Sequence, residues 1–104
     1  MPTRREKLEA MLQSTPDDQT LRYMLAMEFD KQGDPDGALQ QFSQLMQSES
    51  PYVPAFLMAG QLLTRLGKTE AARSVFNDGI QTAQTQNNAH AAGEMAGFLA
   101  SLGN

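Results

Sequence analysis

The sequence has no cysteine, a single histidine and no long apolar run, and these absences exclude several classes of protein. Without cysteine the chain forms no disulfide, no thiolate metal site and no cysteine nucleophile, and a reducing compartment is expected. Nowhere do about 18 uncharged apolar residues follow one another, as a membrane span requires. The start MPTRREKLEA has basic residues but lacks the apolar segment of a secretory signal. We therefore expect a cytoplasmic protein with no membrane partner.

Positive charge is also scarce. The chain of 104 residues carries 8 basic and 12 acidic residues, a net charge of -4, and residues 17–51 hold seven of the acidic residues but only two of the basic ones. A protein that binds nucleic acid needs a basic surface that displaces counterions from phosphate. We predict no nucleic-acid partner.

Three local motifs suggest chemistry, but each is incomplete. Asp34, Asp36 and Gly37 resemble part of a calcium loop, yet such a loop would run from Gln32 to Ser43 and neither end is acidic. The stretch LGKTE at residues 66–70 lacks the earlier glycine of a phosphate-binding loop. His90 has no second histidine or cysteine with which to build a metal site. We predict no catalytic residue, no metal, no cofactor and no enzymatic activity.

What the chain does contain is a repeat. A shift of 34 residues aligns Gly33 with Gly67, Ala38 with Ala72 and Phe42 with Phe76, and residues 17–50 and 51–84 share five identities in all. A period of this size is typical of stacked helical repeats. The same shift leaves half a repeat at each end. The predicted organisation is one domain over residues 1–104, with a half-repeat helix at 1–16, repeats at 17–50 and 51–84, and a capping helix at 85–104.

Apolar periodicity and capping residues place the helices. Leu21, Leu25 and Phe29 recur every four residues, which indicates an amphipathic helix. Glycines after a basic residue predict helix ends at Gly33 and Gly67. Side chains that cap helix N-termini are predicted at Asp17 or Asp18, Asp34, Ser50 and Thr69, and Pro35 and Pro51 lie where a proline costs no hydrogen bond. We predict an all-α fold of six helices near residues 3–14, 18–31, 35–48, 52–65, 69–83 and 88–102.

These residues resemble the tetratricopeptide repeat. The first repeat offers Leu25-Ala26, Phe29, Gly33, Ala38, Phe42, Leu45 and Pro51, and the second offers Phe56, Ala59-Gly60, Leu63, Gly67, Ala72, Phe76 and Gly79. Two positions depart from the family pattern: Arg22 stands where a large apolar residue belongs, and Gln84 replaces the closing proline. The resemblance implies antiparallel helix-turn-helix repeats stacked as a short right-handed superhelix. Another antiparallel helical repeat is the remaining alternative.

In this family the first helix of each repeat, helix A, lines a concave groove. The resemblance implies a partner-binding groove made by Tyr23, Met27, Asp30, Lys31, Leu57, Gln61, Thr64, Arg65, Met95 and Phe98. The lysine and asparagines with which the family clamps a peptide carboxylate are absent, because Tyr23, Met27, Leu57 and Gln61 occupy those places. Plain core packing is an equal alternative for Met95 and Phe98.

We predict a non-catalytic adaptor that binds a peptide or helix of a partner protein in this groove. An apolar partner segment with a charge that meets Arg65 or Lys31 fits the groove composition better than a chaperone C-terminal peptide. The alternative is self-association, in which the groove or the last helix docks on a second copy to form a homodimer. A weaker alternative is a domain of a larger chain, although Met1 and helices that reach both ends suit a separate protein.

Overall fold

Six α-helices and no strand form the regular structure of residues 1–103, the part of the chain that this computed structural model describes. In chain order the helices are α1 (Arg4–Ser14), α2 (Gln19–Lys31), α3 (Pro35–Met46), α4 (Val53–Arg65), α5 (Thr69–Thr85) and α6 (Ala89–Ser101). Every bound lies within two residues of its predicted place, so the all-α, six-helix prediction is confirmed. In the same residues no helix combines the length and apolar character that a membrane span requires.

The first compact unit, Met1–Glu49, contains α1, α2 and α3. Ala26 of α2 and Ala38 of α3 are fully buried, so the pair packs through small side chains. Phe42 of α3 is also fully buried. Burial of each large apolar side chain contributes about 1.5–3 kcal/mol.

Helix α1 is held on α2 by two cationic side chains. Arg4 Nε lies 3.3 Å from the carboxylate of Glu28, and the Arg5 guanidinium lies 4.5 Å from the centroid of the Phe29 ring. Glu28 is only 9% exposed, and Arg4 provides its opposite charge. The half repeat at the N-terminus therefore covers one side of the first helix pair.

The second compact unit begins at Ser50 and contains α4, α5 and α6. Phe76 of α5 is fully buried, and its ring occupies the space where a Cβ atom of Gly60 would lie. Helix α6 packs on α5 in the same manner, because a Cβ atom at Gly79 would lie only 2.5 Å from Met95 Sδ. Small residues on one helix thus face large residues on the next.

Several predicted helix caps are present. The Asp18 carboxylate accepts a hydrogen bond from the Leu21 amide at 3.0 Å, and the Asp34 carboxylate accepts one from the Gly37 amide at 3.0 Å. Pro35 is the first residue of α3, where its missing N–H leaves no helical bond unmade. The acidic residues of the apparent calcium loop therefore begin a helix.

Two predicted caps are wrong. Helix α4 begins at Val53 after Tyr52, so Ser50 lies outside it. Pro54 lies in the first turn, where its missing N–H leaves no helical hydrogen bond unmade. Helix α5 has Lys68 at its N-cap, and neither Tyr52 nor Lys68 makes a capping bond through its side chain. Thr69 falls one residue too late, inside the helix.

Two further helix caps were not predicted. Thr3 accepts from the Glu6 amide at 3.1 Å while Glu6 accepts from the Thr3 amide at 3.0 Å, a reciprocal capping box. The backbone and hydroxyl hydrogen bonds with Thr3 lower the pKa of the Glu6 carboxyl from its ordinary value of 4.5. Asn88 caps α6 by accepting from the Ala91 amide at 3.1 Å.

The helix ends at Gly33 and Gly67 are confirmed. Their φ angles are 79° and 77°, and the amides that follow, of Asp34 and Lys68, return to Phe29 and Leu63 carbonyls at 2.9 Å each. Glycine takes positive φ without steric cost, which explains its place after the helix. Helix α5 ends in the same way with Asn87 at φ 60°.

Both departures from the repeat pattern have a structural account. Arg22 donates to the side-chain oxygen of Gln41 at 2.8 Å and to the Pro16 carbonyl at 3.1 Å, so a polar link replaces an apolar contact. Gln84 lies inside α5, which continues to Thr85. A proline there would have ended the helix earlier.

Candidate functional site

In the first unit the predicted partner-binding residues lie together. A cleft of about 550 Å³ is lined by Arg4, Tyr23, Met24, Met27, Glu28, Asp30 and Lys31. We call it the α2 cleft, because α2 supplies all of these residues except Arg4. It includes all four groove residues predicted for this part of the chain.

The α2 cleft combines flexible apolar side chains with charges of both signs. Met24 and Met27 lie on its wall, and the ring of Tyr23 is held beside that of Phe42, with 6.1 Å between the centroids and 57° between the planes. The Arg4 and Glu28 charges are paired at 3.3 Å. This surface offers apolar contact area bordered by polar groups.

In the second unit a smaller pocket lies between α4 and α6. It measures about 240 Å³ and is lined by Gln61, Thr64, Arg65, Phe98, Ser101 and Leu102. We call it the α4–α6 pocket. Four of the predicted groove residues line it: Gln61, Thr64, Arg65 and Phe98.

Met95 and Phe98 lie in different environments, although both were open between groove and core. Met95 is fully buried, and its sulfur packs against Gly79, so Met95 is corrected from a candidate groove residue to a core residue. Phe98 is 39% exposed, and its ring stacks on Phe76 with 5.8 Å between the centroids and 8° between the planes. Leu57 is half-buried on α4 and lines neither the α2 cleft nor the α4–α6 pocket.

Five of the lining residues were not predicted from the sequence. Ser101 and Leu102 follow Phe98 by three and four positions, so helical spacing could have found them. Met24 and Glu28 flank Met27 on α2, one turn apart from each other. Arg4 comes from a distant part of the chain, and no local pattern links it to α2.

The surface chemistry outside the two clefts is ordinary. His90 is exposed and lies 3.3 Å from the Glu94 carboxylate, one helical turn away on α6. Over residues 1–103 no three histidine, cysteine, aspartate or glutamate side chains come together in a way that could hold a metal ion. The α2 cleft and the α4–α6 pocket each combine apolar side chains with at least one charged residue.

The helix pairs and their 34-residue period define a protein built from antiparallel helical repeats. The model of the tetratricopeptide repeat family matches residues 31–104. The chain belongs to this family, and the resemblance found in the sequence is confirmed. Tetratricopeptide repeat proteins are generally non-catalytic scaffolds that bind other proteins.

Two protein structures determined in solution share the fold. A tetratricopeptide repeat domain protein from Salinibacter ruber is 27% identical, with a TM-score of 0.79 over 85% of this chain and 89% of its own. A protein from Bordetella parapertussis is also 27% identical, with a TM-score of 0.80 over 98% of this chain and 89% of its own. No curated protein matches the sequence.

Proposed function

We propose that this protein is a non-catalytic interaction module that binds a peptide or helix of a partner protein through the A helices α2, α4 and α6. One observation carries the proposal: all four predicted binding residues of the first unit line the α2 cleft, and four of the six predicted in the second unit line the α4–α6 pocket. Residues on different turns of a helix, or on different helices, acquire a common function only where the fold brings them together.

The composition of the α2 cleft suits a protein segment better than a small substrate. Methionine is flexible and polarisable, so Met24 and Met27 can adapt to irregular apolar side chains. Tyr23 adds a ring whose orientation is restrained by Phe42. Amphipathic helices and extended segments both bind to surfaces of this kind.

Affinity capture from lysate tests the proposal and identifies the partner. We expect the wild-type chain to retain a partner that the Tyr23→Ala/Met27→Ala variant loses, because both truncations remove contact area from the α2 cleft. The matched control is Gln40→Ala/Ser74→Ala, which changes exposed residues of α3 and α5. Circular dichroism must show equal helix content in all three proteins. A partner retained equally by all three contradicts the proposal.

Self-association is the alternative that one observation favours, the 39% exposure of Phe98 on the last helix. Sedimentation at several concentrations tests it. If the wild type is a dimer at micromolar concentration and Phe98→Lys is a monomer, self-association replaces the adaptor proposal. Met95 is unsuitable for this experiment because it is fully buried.

The cytoplasmic location, the absence of enzymatic activity and the absence of a nucleic-acid partner remain predictions that accompany this proposal. So does the organisation of residues 1–104 as a single domain.

A further inference from the structure

Helix α1 is held on the first helix pair by little apolar surface. Only Leu8 and Leu12 of its residues are buried, and within the first unit α1 packs mainly on α2. Helix α2, by contrast, has four buried residues and packs on α3 as well as on α1. Elements that bury little apolar surface open at a lower free energy than the core does. We therefore expect α1 to separate from α2 more readily than α2 separates from α3.

Two clefts border the contact between α1 and α2. Arg4 lines the α2 cleft, and a second cleft of about 480 Å³ lies beside Arg5. The residues that line the second cleft are Thr3, Arg5, Glu6, Glu9 and Gln32. Protein interiors are usually packed without gaps of this size. The edge of the contact is therefore open to another protein segment.

The side of α1 that meets α2 has a simple pattern. Arg4, Leu8 and Leu12 follow one another at intervals of four residues, so they lie on one side of the helix. Leu8 and Leu12 are buried, and Arg4 Nε lies 3.3 Å from the Glu28 carboxylate. The contact surface of α1 thus consists of one cation followed by two leucines.

Glu28 makes the cation a requirement. Its side chain is only 11% exposed, and its carboxylate meets Arg4 and accepts a hydrogen bond from the Gln32 amide at 3.4 Å. Covering a carboxylate without an opposite charge is strongly destabilising. A helix that replaced α1 on this surface would therefore need a basic residue in the place of Arg4.

We propose that α1 is a displaceable cover over a helix-binding surface of α2. The partner helix that takes its place carries an arginine or lysine followed by leucines four and eight residues later. The inference rests on the proposed function, in which α2 is a binding helix, and adds that α1 competes with the partner. Displacement also removes Arg4 from the wall of the α2 cleft, so the uncovered surface and the cleft become continuous.

Hydrogen exchange of the wild-type chain, followed for single amides by NMR, tests whether α1 opens. We expect the protection factors of Leu8 and Leu12 to be about tenfold or more below those of Ala38 and Phe42, because α1 opens without unfolding of the α2–α3 pair. Equal protection of the two pairs of amides would show that α1 opens only with the whole unit, and would overturn the inference.

A fluorescent peptide of residues 1–16 serves as the replacing helix, and anisotropy measures its binding to the full chain. The chain's own α1 competes at high effective concentration. Arg4→Gln loosens that helix, so this chain should bind the peptide about tenfold more tightly than the wild type does. The matched control is Lys7→Gln, which removes the same charge from another exposed residue of α1 and should leave peptide binding unchanged.

A double-mutant cycle tests the required cation. On the Arg4→Gln chain, a peptide that itself carries Arg4→Gln should bind about tenfold more weakly than the wild-type peptide. On a Glu28→Gln chain the two peptides should bind alike, because the carboxylate that needs the cation is gone.

The inference is also overturned if the Arg4→Gln chain binds the peptide no more tightly than the Lys7→Gln chain, or if Arg4 of the peptide makes no difference to its affinity. Partner capture that still depends on Tyr23 and Met27 would then leave the proposed function standing. A wild-type dimer that excess peptide dissociates, detected by sedimentation, would make α1 of a second copy the occupant and overturn the assignment to a partner helix.

Discussion

At the scale of single residues, Gly60 sets how closely α4 and α5 approach. A Cβ atom there would overlap the Phe76 ring, which is fully buried and has no room to move. We expect Gly60→Ala to lower the free energy of unfolding by about 1–3 kcal/mol, although alanine favours helix. Urea denaturation measures the change.

The control for this prediction is another helical glycine. A Cβ atom at Gly93 on α6 would meet nothing within 4 Å. Gly93→Ala should therefore raise the free energy of unfolding by about 0.5–1 kcal/mol, through helix propensity alone. Equal effects of the two substitutions would show that Phe76 does not lie against Gly60.

The stability that Glu6 gives to the first turn of α1 depends on pH. Hydrogen bonds with Thr3 lower the pKa of its carboxyl in the folded protein, so the ionised form stabilises the fold. This stabilisation is complete above the ordinary pKa of 4.5 and is lost as the pH falls through the lowered folded value. The stability difference between wild type and Glu6→Ala should shrink over that interval, as thermal unfolding at several pH values would measure. A difference that grows on acidification would contradict the capping box.

Single residues also mark the limit of prediction from sequence. The small residues Ala26, Ala38 and Ala72 match the family pattern in the sequence, and all three are fully buried. Met95 and Phe98 could not be separated, because both are apolar residues on neighbouring turns of α6. Met95 packs against Gly79 and Phe98 stacks on Phe76, and the local sequence does not encode these contacts between helices.

At the scale of elements, some helices have a side-chain hydrogen bond at the N-cap and others do not. Asn88 caps α6 through its side chain, whereas Thr69 is the first residue inside α5. Asn88→Ala should lower the free energy of unfolding by about 0.5–2 kcal/mol, because the Ala91 amide loses its partner. Thr69→Ala, the control, should change it by less than about 0.5 kcal/mol. Denaturation curves for the two variants measure both changes. A larger loss of stability for Thr69→Ala than for Asn88→Ala would contradict the assignment of Asn88 as a cap and Thr69 as a residue inside the helix.

The helix ends were more predictable than the starts. Glycine is the residue that takes positive φ most readily, so Gly33 and Gly67 identify two ends without knowledge of the fold. Several residue types can cap a start, and the sequence offered Ser50 and Thr69 where the structure uses Tyr52 and Lys68.

At the scale of the whole molecule, the repeat explains most of what could be predicted. A 34-residue period with small and aromatic residues at fixed places specifies helix pairs and the faces they bury. The family resemblance placed eight of the residues that line the α2 cleft and the α4–α6 pocket. The pairing of Arg4 with Glu28 could not be predicted, because it joins residues 24 positions apart.

The central claim is that the A helices carry the binding surface, and calorimetric titration of the captured partner tests it most directly. We predict that Tyr23→Ala/Met27→Ala raises the Kd about tenfold or more, while Gln40→Ala/Ser74→Ala leaves it at the wild-type value. The titrations should be carried out well below the melting temperature of every variant, so that only folded protein is compared. An unchanged Kd for the first variant, or an equal loss for the second, would contradict the account.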